Sequence, residues 1–267
     1  KTAHVHADEG GAPEKVAGIK LLPIATTDGK LTPDLIAGEA WGFDDEHRAQ
    51  PLVVYLTQSS ELGTVYTPDE VRAITSYAHQ RGMRVFMDGA RLSNAAATLG
   101  LPLRDFTTDA GVDVVTFGGT KTGALGAEAV VVLDVTAAGG LIRLRKSMMQ
   151  LASKMRFVSA QLIALLDGDL YLRTAGHANA MATRLRGQLE AGIADGRIRG
   201  VEFTQPTQAN AVFARLPAGI ADRLRESFRF YDWDAASGEV RWVCSFDTQA
   251  TDVDAFVAET ARLTASV

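Results

Sequence analysis

Cysteine is nearly absent from this chain of 267 residues: Cys244 stands alone, so no disulfide framework can form. No apolar run approaches the roughly 18 residues that mark a membrane-crossing helix. Positive charge is not in excess either, since 27 Lys and Arg stand against 32 Asp and Glu for a formal net charge of −5. The basic residues are scattered, which leaves no surface suited to nucleic-acid phosphates. Internal repeats and low-complexity linkers are missing too. No nucleic acid and no membrane is therefore expected as a partner, and the setting read from these features is cytoplasmic. What is present is 46% hydrophobic content, enough for a sizeable core in one large domain plus a smaller one, or in two modest ones. The opening KTAHVHADEGGAPE has neither an initiator Met nor the apolar segment of a signal peptide, and a further segment is expected to precede it.

Periodicity organises the first half. PLVVYLTQ (51–58) reads as a strand, and TPDEVRAITSYAHQRG follows with a capping box: Thr67 as cap, Pro68 at the first helical position, Glu70 three residues after the cap. Gly82 is placed to end that helix. RVFMDGA (84–90), VDVVTFGG (112–119) and AVVVL (129–133) read as buried strands. Strands alternating with helices imply an α/β fold with a parallel or mostly parallel sheet covered on both faces. Beyond residue 140, RLRKSMMQLASKMRFVSAQLIALLDGDLYL and HANAMATRLRGQLEAGI have helical spacing, and the methionines fit helix packing. VEFTQP, ANAVFARL and EVRWVCSF then read as strands, before a final helix capped by Thr251 with Asp254 three residues on. The expected division is a large domain over 1–171, including a connecting helix, and a small α+β domain over 172–267.

The segment TFGGTKTGALGAE (116–128) sets four glycines and one lysine after an apolar strand. A phosphate-cradling P-loop requires a Gly directly before its Lys, and Thr120 intervenes between Gly119 and Lys121. The dinucleotide fingerprint fails as well, because Gly118, Gly119, Gly123 and Gly126 do not follow its order. What remains is a strand-end lysine flanked by small residues that let a flat molecule approach the backbone. A desolvated lysine is a nucleophile, and pyridoxal phosphate (PLP) is held by such a lysine together with an acid that keeps its pyridine nitrogen protonated. Asp88, ending RVFMD, is the acid at hand. Taken singly, a strand-end Asp such as Asp88 is more often a helix cap or turn former, and a lone Lys in a Gly-rich turn such as Lys121 is usually a solvated residue. Together they fall at the carboxyl ends of parallel strands, where α/β sheets bind ligands.

FMDGARLSNA (86–95), FGGTKTGALGAEAVV (117–131), AHVHADEGGAPE (3–14) and ELGTVYTPDE (61–70), in this combination, resemble the L-threonine aldolase branch of the fold-type I PLP enzymes, the β-eliminating-lyase-like group. The resemblance spans nearly the whole chain. It implies a PLP-transferase-like fold with Lys121 carrying the cofactor as a Schiff base and Asp88 on the pyridine nitrogen. It also implies Arg91 near the PLP 3′ oxygen and the substrate carboxylate, His4 stacked on the cofactor ring, and Glu9 near the active-site water. Arg241 in EVRWVCSFD would take the substrate carboxylate from the small domain, a contact suited to a bidentate guanidinium. Arg156, in SKMRF, would reach the cofactor phosphate of a neighbouring subunit in a homodimer or homotetramer with shared sites.

By spacing alone several of these residues have plainer readings. Arg241 alternates with Val240 and Trp242 as an outward-facing strand residue would, and Arg156 could be a surface arginine lying over the core. His4 and His6 could be exposed loop residues; no Cys or carboxylate cluster supports a metal site, so no metal is expected. His47, His79 and His177 read as solvent-facing helix residues.

Two departures from the family pattern stand out. Its phosphate cup, a Ser-Gly-Thr turn at a helix N-terminus, would lie upstream of residue 1. Some members also carry a histidine for the substrate β-hydroxyl in the segment matching TQSSELG (57–63), where this chain has Ser59 and Ser60. The expected activity is that of a PLP-dependent aldehyde-lyase cleaving L-threonine or a related β-hydroxy-α-amino acid, its small-molecule partner, to glycine and an aldehyde. The alternatives are β-elimination on the same scaffold, or a non-catalytic assembly module that keeps the fold.

Overall fold

β1 (Val53–Thr57), β2 (Arg84–Asp88) and β3 (Val114–Gly118) lie side by side and parallel, and β4 (Glu128–Val132) adds to β3 antiparallel. The computed structural model from which this architecture is read describes residues 1–265. Three short helices, α1 (His4–Ala7), α2 (Ala12–Ala17) and α3 (Pro33–Glu39), precede β1. The crossovers are α4 (Pro68–His79) between β1 and β2, and α5 (Leu92–Leu99) between β2 and β3. α4 begins as its sequence dictates: Thr67 Oγ1 accepts the Glu70 N–H, and Glu70 Oε2 accepts the Thr67 N–H at 2.7 Å, an arrangement worth about 1 kcal/mol. Its Val71, Ile74 and Ala78 recur on one face and pack with Val54, Leu56, Val85 and Met87 of the sheet. The sheet is mostly parallel, as expected. β4 reverses because the chain between Gly118 and Glu128 is too short for a crossover helix, which takes about a dozen residues or more.

The long stretch beyond residue 140 is not one helix but two, α6 (Leu141–Ser147) and α7 (Arg156–Leu166), separated by a segment in which Met149 and Lys154 have φ of 59° and 62°. α8 (Leu170–Ala194) then contributes to both halves of the molecule. Tyr171 joins the core of the first sheet, while Ala182, Leu185 and Leu189 join a second core. That second core lies on an antiparallel sheet of β5 (Glu202–Phe203), β6 (Ala211–Arg215), β7 (Tyr231–Asp234) and β8 (Glu239–Val243), in the order β5-β6-β8-β7. Helix α9 (Ile220–Arg225) connects β6 to β7, and α10 (Ala250–Thr264) covers the sheet.

Two expectations are corrected here. β7, written by the polar YDWD, carries no alternating apolar signal and lies at the edge of the sheet. α10 is capped by Gln249 with Asp252 rather than by Thr251 with Asp254. The Asp252 carboxylate accepts the Gln249 N–H at 2.8 Å, while Asp254 faces Arg184 of α8 at 2.8 Å.

Candidate active site

Parallel pairing lines up the C-terminal ends of β1 to β3, with Thr57 opposite Asp88 in register. The loops leaving β2 and β3 are locked together by glycine. A Cβ on Gly89 would lie 1.9 Å from the Thr116 carbonyl oxygen, and one on Gly118 would lie 2.7 Å from that of Ala90. The space saved is used for hydrogen bonds: Gly118 N donates to Gly89 O at 3.1 Å and Gly89 N to Thr116 Oγ1 at 2.8 Å. A third contact of this kind sets Gly119 against Ala127, whose carbonyl would be 2.4 Å from an added Cβ. Glycine therefore brings backbone against backbone, and so holds Asp88 on one loop beside Lys121 on the next. Lys121 sits in a 3-10 turn over Thr120–Thr122, whose first N–H is accepted by Glu128 Oε1 at 3.1 Å.

Asp88 is oriented from two sides, since Oδ2 accepts the Tyr55 hydroxyl at 2.6 Å and Oδ1 the Ala90 N–H at 2.9 Å. Tyr55 stacks on Phe86 with ring centroids 5.2 Å apart. Burial, then the Asp88 charge, pushes the phenol above its ordinary range, so it stays a donor to the carboxylate.

Three cations share this edge. Lys121 is reachable from solvent, yet the atoms crowded around its amine, and then the charge of Arg91, lower its pKa. Arg91, which follows the β2 loop at the head of α5, is lowered by burial and next by Arg241. Arg241 reaches in from β8 of the second sheet, is lowered by burial, and has its guanidinium 4.8 Å from the Trp233 ring centroid. Among the described residues, none of the three side chains has a hydrogen bond or an ion pair. Three crowded cations without a counter-ion, two of them guanidinium groups partly withdrawn from water, mark a place for an anion.

The N-terminal segment closes one side. His4 Nδ1 lies 2.7 Å from Glu9 Oε1, with both side chains 48% exposed, and the His4 backbone N–H donates to Glu61 Oε1 at 2.8 Å. Glu61 is only 7% exposed and also accepts Thr57 Oγ1 at 3.0 Å. With Ser59, Arg91, Asn210 and Arg241 it lines a small cavity. Ser59 Oγ and Asn210 Oδ1 are buried there without a hydrogen-bond partner.

The structure thus gathers Asp88, Arg91, Lys121 and Arg241; the His4 backbone is held by Glu61, which lines a cavity with Arg91 and Arg241, and Glu9 meets the His4 ring. It does not bring Arg156 in: that residue opens α7, is exposed, and lies over the Phe157 ring at 4.8 Å. Sequence reasoning missed Tyr55, Glu61 and Asn210. Tyr55 carries a signal, because it falls two residues before the position that pairs with Asp88. Glu61 and Asn210 carry none, since each acts through a contact between segments far apart in the chain. Of the remaining histidines, His79 is an exposed residue at the end of α4, as expected, whereas His177 is half-buried and His47 is exposed but not helical. His79 Nε2 is 2.9 Å from Asp113, which is 2% exposed and also holds Arg84; His177 Nε2 meets Thr248 O at 2.7 Å; His47 lies in a turn.

The residues present fit PLP: a perturbed amine, a carboxylate held by two donors, and unpaired guanidinium groups, all at the C-terminal edge of the parallel strands. A family model described as Beta-eliminating lyase matches residues 1–216. The low specificity L-threonine aldolase of Pseudomonas sp. (strain NCIMB 10558) is 42% identical over 261 residues, covering 97% of this chain and 73% of its own. The enzyme of the same name from Pseudomonas aeruginosa is 44% identical over 250 residues, covering 93% and 70%. The solved threonine aldolase of Leishmania major superposes with a TM-score of 0.89 at 28% identity, over 98% of this chain and 75% of that one.

Proposed function

This chain belongs to the Beta-eliminating lyase family, and on that premise we propose that it cleaves L-threonine and related β-hydroxy-α-amino acids to glycine and an aldehyde. It is a PLP-dependent carbon–carbon lyase of α/β, fold-type I architecture. The observation that carries the proposal is the trio of unpartnered cations, Lys121, Arg91 and Arg241, beside a doubly held Asp88. Bound here, PLP supplies a protonated ring able to take up the electron pair released when a bond at Cα breaks.

Each side chain has a task that follows from its surroundings. The lowered pKa of Lys121 leaves more of its amine unprotonated and nucleophilic near neutrality. Asp88 holds the proton on the ring nitrogen, and Tyr55 and the Ala90 N–H keep its carboxylate from turning. Arg91 and Arg241 grip the substrate carboxylate from two domains, which fixes the direction of the bond that breaks. Glu9 steadies the His4 imidazole, which would stack on the bound ring, and Glu9 itself would lie near the active-site water.

Homo-oligomeric assembly belongs to the same proposal. α6 buries none of its residues and α7 only Leu165, while Leu125, Ile142, Met149, Phe157 and Ile163 are between 63% and 88% exposed. A second copy covering these faces, in a homodimer or homotetramer, would carry Arg156 toward a neighbour's cofactor phosphate. We also place the protein in the cytoplasm, where a reducing environment suits its one thiol, buried and pushed up to about 11 by that burial.

The test is product analysis with L-threonine. Glycine and acetaldehyde are expected, whereas ammonia and a 2-oxo acid would identify β-elimination instead. Lys121→Ala is expected to abolish turnover and the visible absorbance band that borohydride removes from the parent protein. Glycine production at the parent rate by that variant would overturn the assignment of Lys121.

A further inference from the structure

The cavity beside the arginines holds a carboxylate that the roles above leave unused. Glu61 Oε1 is taken up by the His4 N–H and the Thr57 hydroxyl, and Oε2 has no hydrogen-bond partner among the described residues. Arg91 and Arg241 line the same cavity, and both feel the Glu61 charge, yet neither pairs with it. A gap therefore separates a half-satisfied acid from two unpaired guanidinium groups. Ser59, 1% exposed and lining that gap, adds an Oγ that has nothing to bond. A ligand that reached this narrow gap would have to present an anion to the arginines and something other than an anion to Glu61.

An α-amino acid with its amino group at Lys121 and its α-carboxylate on the arginines leaves its side chain to the cavity wall formed by Ser59 and Glu61. We propose that Glu61 sets which side chains the site admits: Oε2 accepts a hydrogen bond from the β-hydroxyl of the substrate, and its charge turns away a second carboxylate. The inference rests on the amino-acid lyase reading above and specifies the side of the site that reading leaves open. Ionised carboxylates accept strong hydrogen bonds from hydroxyls, and like charges set against each other in a desolvated site discriminate strongly. The charged neighbours include Arg91 at the head of α5, Arg241 from β8, Asp88 from β2, and Asp8 and Glu9 from the N-terminal segment. Unlike the carboxylates among them, Glu61 combines near-complete burial, a place in the cavity wall and an oxygen without a partner.

The experiment compares L-asparagine with L-aspartate, which match in shape and differ in charge, on the PLP-loaded protein. Affinity is read from the change in visible absorbance of the bound cofactor, so no turnover is needed. The parent protein should bind asparagine at least about tenfold more tightly than aspartate. Glu61→Gln keeps an oxygen for His4 and Thr57 but loses the charge; it should shrink that ratio at least about fivefold and raise KM for L-threonine. Glu61→Asp, which keeps the charge, should retain the preference for asparagine. A parent protein that binds the two alike overturns the proposal without any variant, and so does a Glu61→Gln ratio within about twofold of the parent. Failure of the aldolase reading shows up elsewhere, as the absence of glycine and acetaldehyde from threonine, while the absorbance ratio still reports on Glu61.

Discussion

Replacing Asp88 by Asn tests both halves of the ring-nitrogen site, because the change removes a charge and one acceptor while nearly preserving shape. The Asp88 carboxylate accepts from Tyr55 at 2.6 Å and from the Ala90 N–H at 2.9 Å, using one oxygen for each. An amide has one oxygen and one NH₂, so the two donors cannot both be served. If the oxygen stays on Ala90, the NH₂ faces the Tyr55 hydroxyl, which must turn to accept and leaves its own hydrogen unpartnered. If the amide flips, its NH₂ confronts the Ala90 N–H. Losing a hydrogen bond to a charged group and gaining at best a neutral one costs about 1–3 kcal/mol. With Tyr55→Phe in place the conflict over the hydroxyl is gone, so Asp88→Asn should cost about 1 kcal/mol less there than in the parent. Urea unfolding of the four cofactor-free proteins measures both quantities. Glycine formation from threonine measures the other effect: a neutral amide cannot hold the ring proton, and the rate should fall by more than about tenfold, or roughly 1.4 kcal/mol of barrier. Additive unfolding energies would refute the Tyr55 hydrogen bond, and a smaller loss of rate would remove Asp88 from the ring nitrogen.

Alkaline pH should weaken the fold, since Tyr55 and Tyr66 have folded-state pKa values raised, chiefly by burial, above those of the unfolded chain. Their contribution is fully present below a pH of about 10 and declines as the pH rises beyond it; unfolding energies measured from pH 8 to 11 check this, and stability that stays level across that range would contradict it. Mixing an inactive Lys121→Ala chain with an inactive Arg156→Ala chain should restore activity, because some sites of a mixed oligomer then draw an intact Lys121 and an intact Arg156 from different copies. Full activity of Arg156→Ala alone, or no recovery in demonstrably mixed oligomers, would exclude a contribution in trans.

What could be read from the residues was whatever is local or periodic. Thr67-Pro68-Asp69-Glu70 specifies the start of α4 by chemistry confined to four neighbours, and the structure shows both capping hydrogen bonds. The parallel strands β1 to β3 are written as short apolar runs, and a ligand edge at their ends follows from topology. β7 was not legible because an edge strand buries little and YDWD has no apolar alternation. The break between α6 and α7 was missed because KSMMQLASKM keeps helical spacing while Met149 and Lys154 take left-handed backbone, which no pattern of side-chain polarity reports. Asp88 and Lys121 could be nominated, since each ends a strand. Glu61 could not: what makes it noteworthy is the His4 N–H, 57 residues away in the chain, and two arginines, one at the head of α5 and one on β8.

The same comparison bears on why the site is arranged as it is. Lys121, Arg91 and Arg241 are each pulled from their ordinary pKa by burial, and Lys121 and Arg91 further by a neighbouring cation. A protein selected for stability alone would pair such charges or move them to the surface, as this chain does with Arg184 and Asp254 or Arg104 and Asp109. Local consistency fails at this one edge of the sheet, where the glycine contacts between the β2 and β3 loops also leave no room for any larger residue. Crowded cations destabilise the empty site and favour the anionic one, so an anionic ligand removes a penalty that folding had to carry. That coupling gives a physical reason for a rigid backbone beneath the charges: without the Gly89–Gly118 lock, mutual repulsion would be relieved by moving the loops apart, and Asp88 and Lys121 would no longer face one ring.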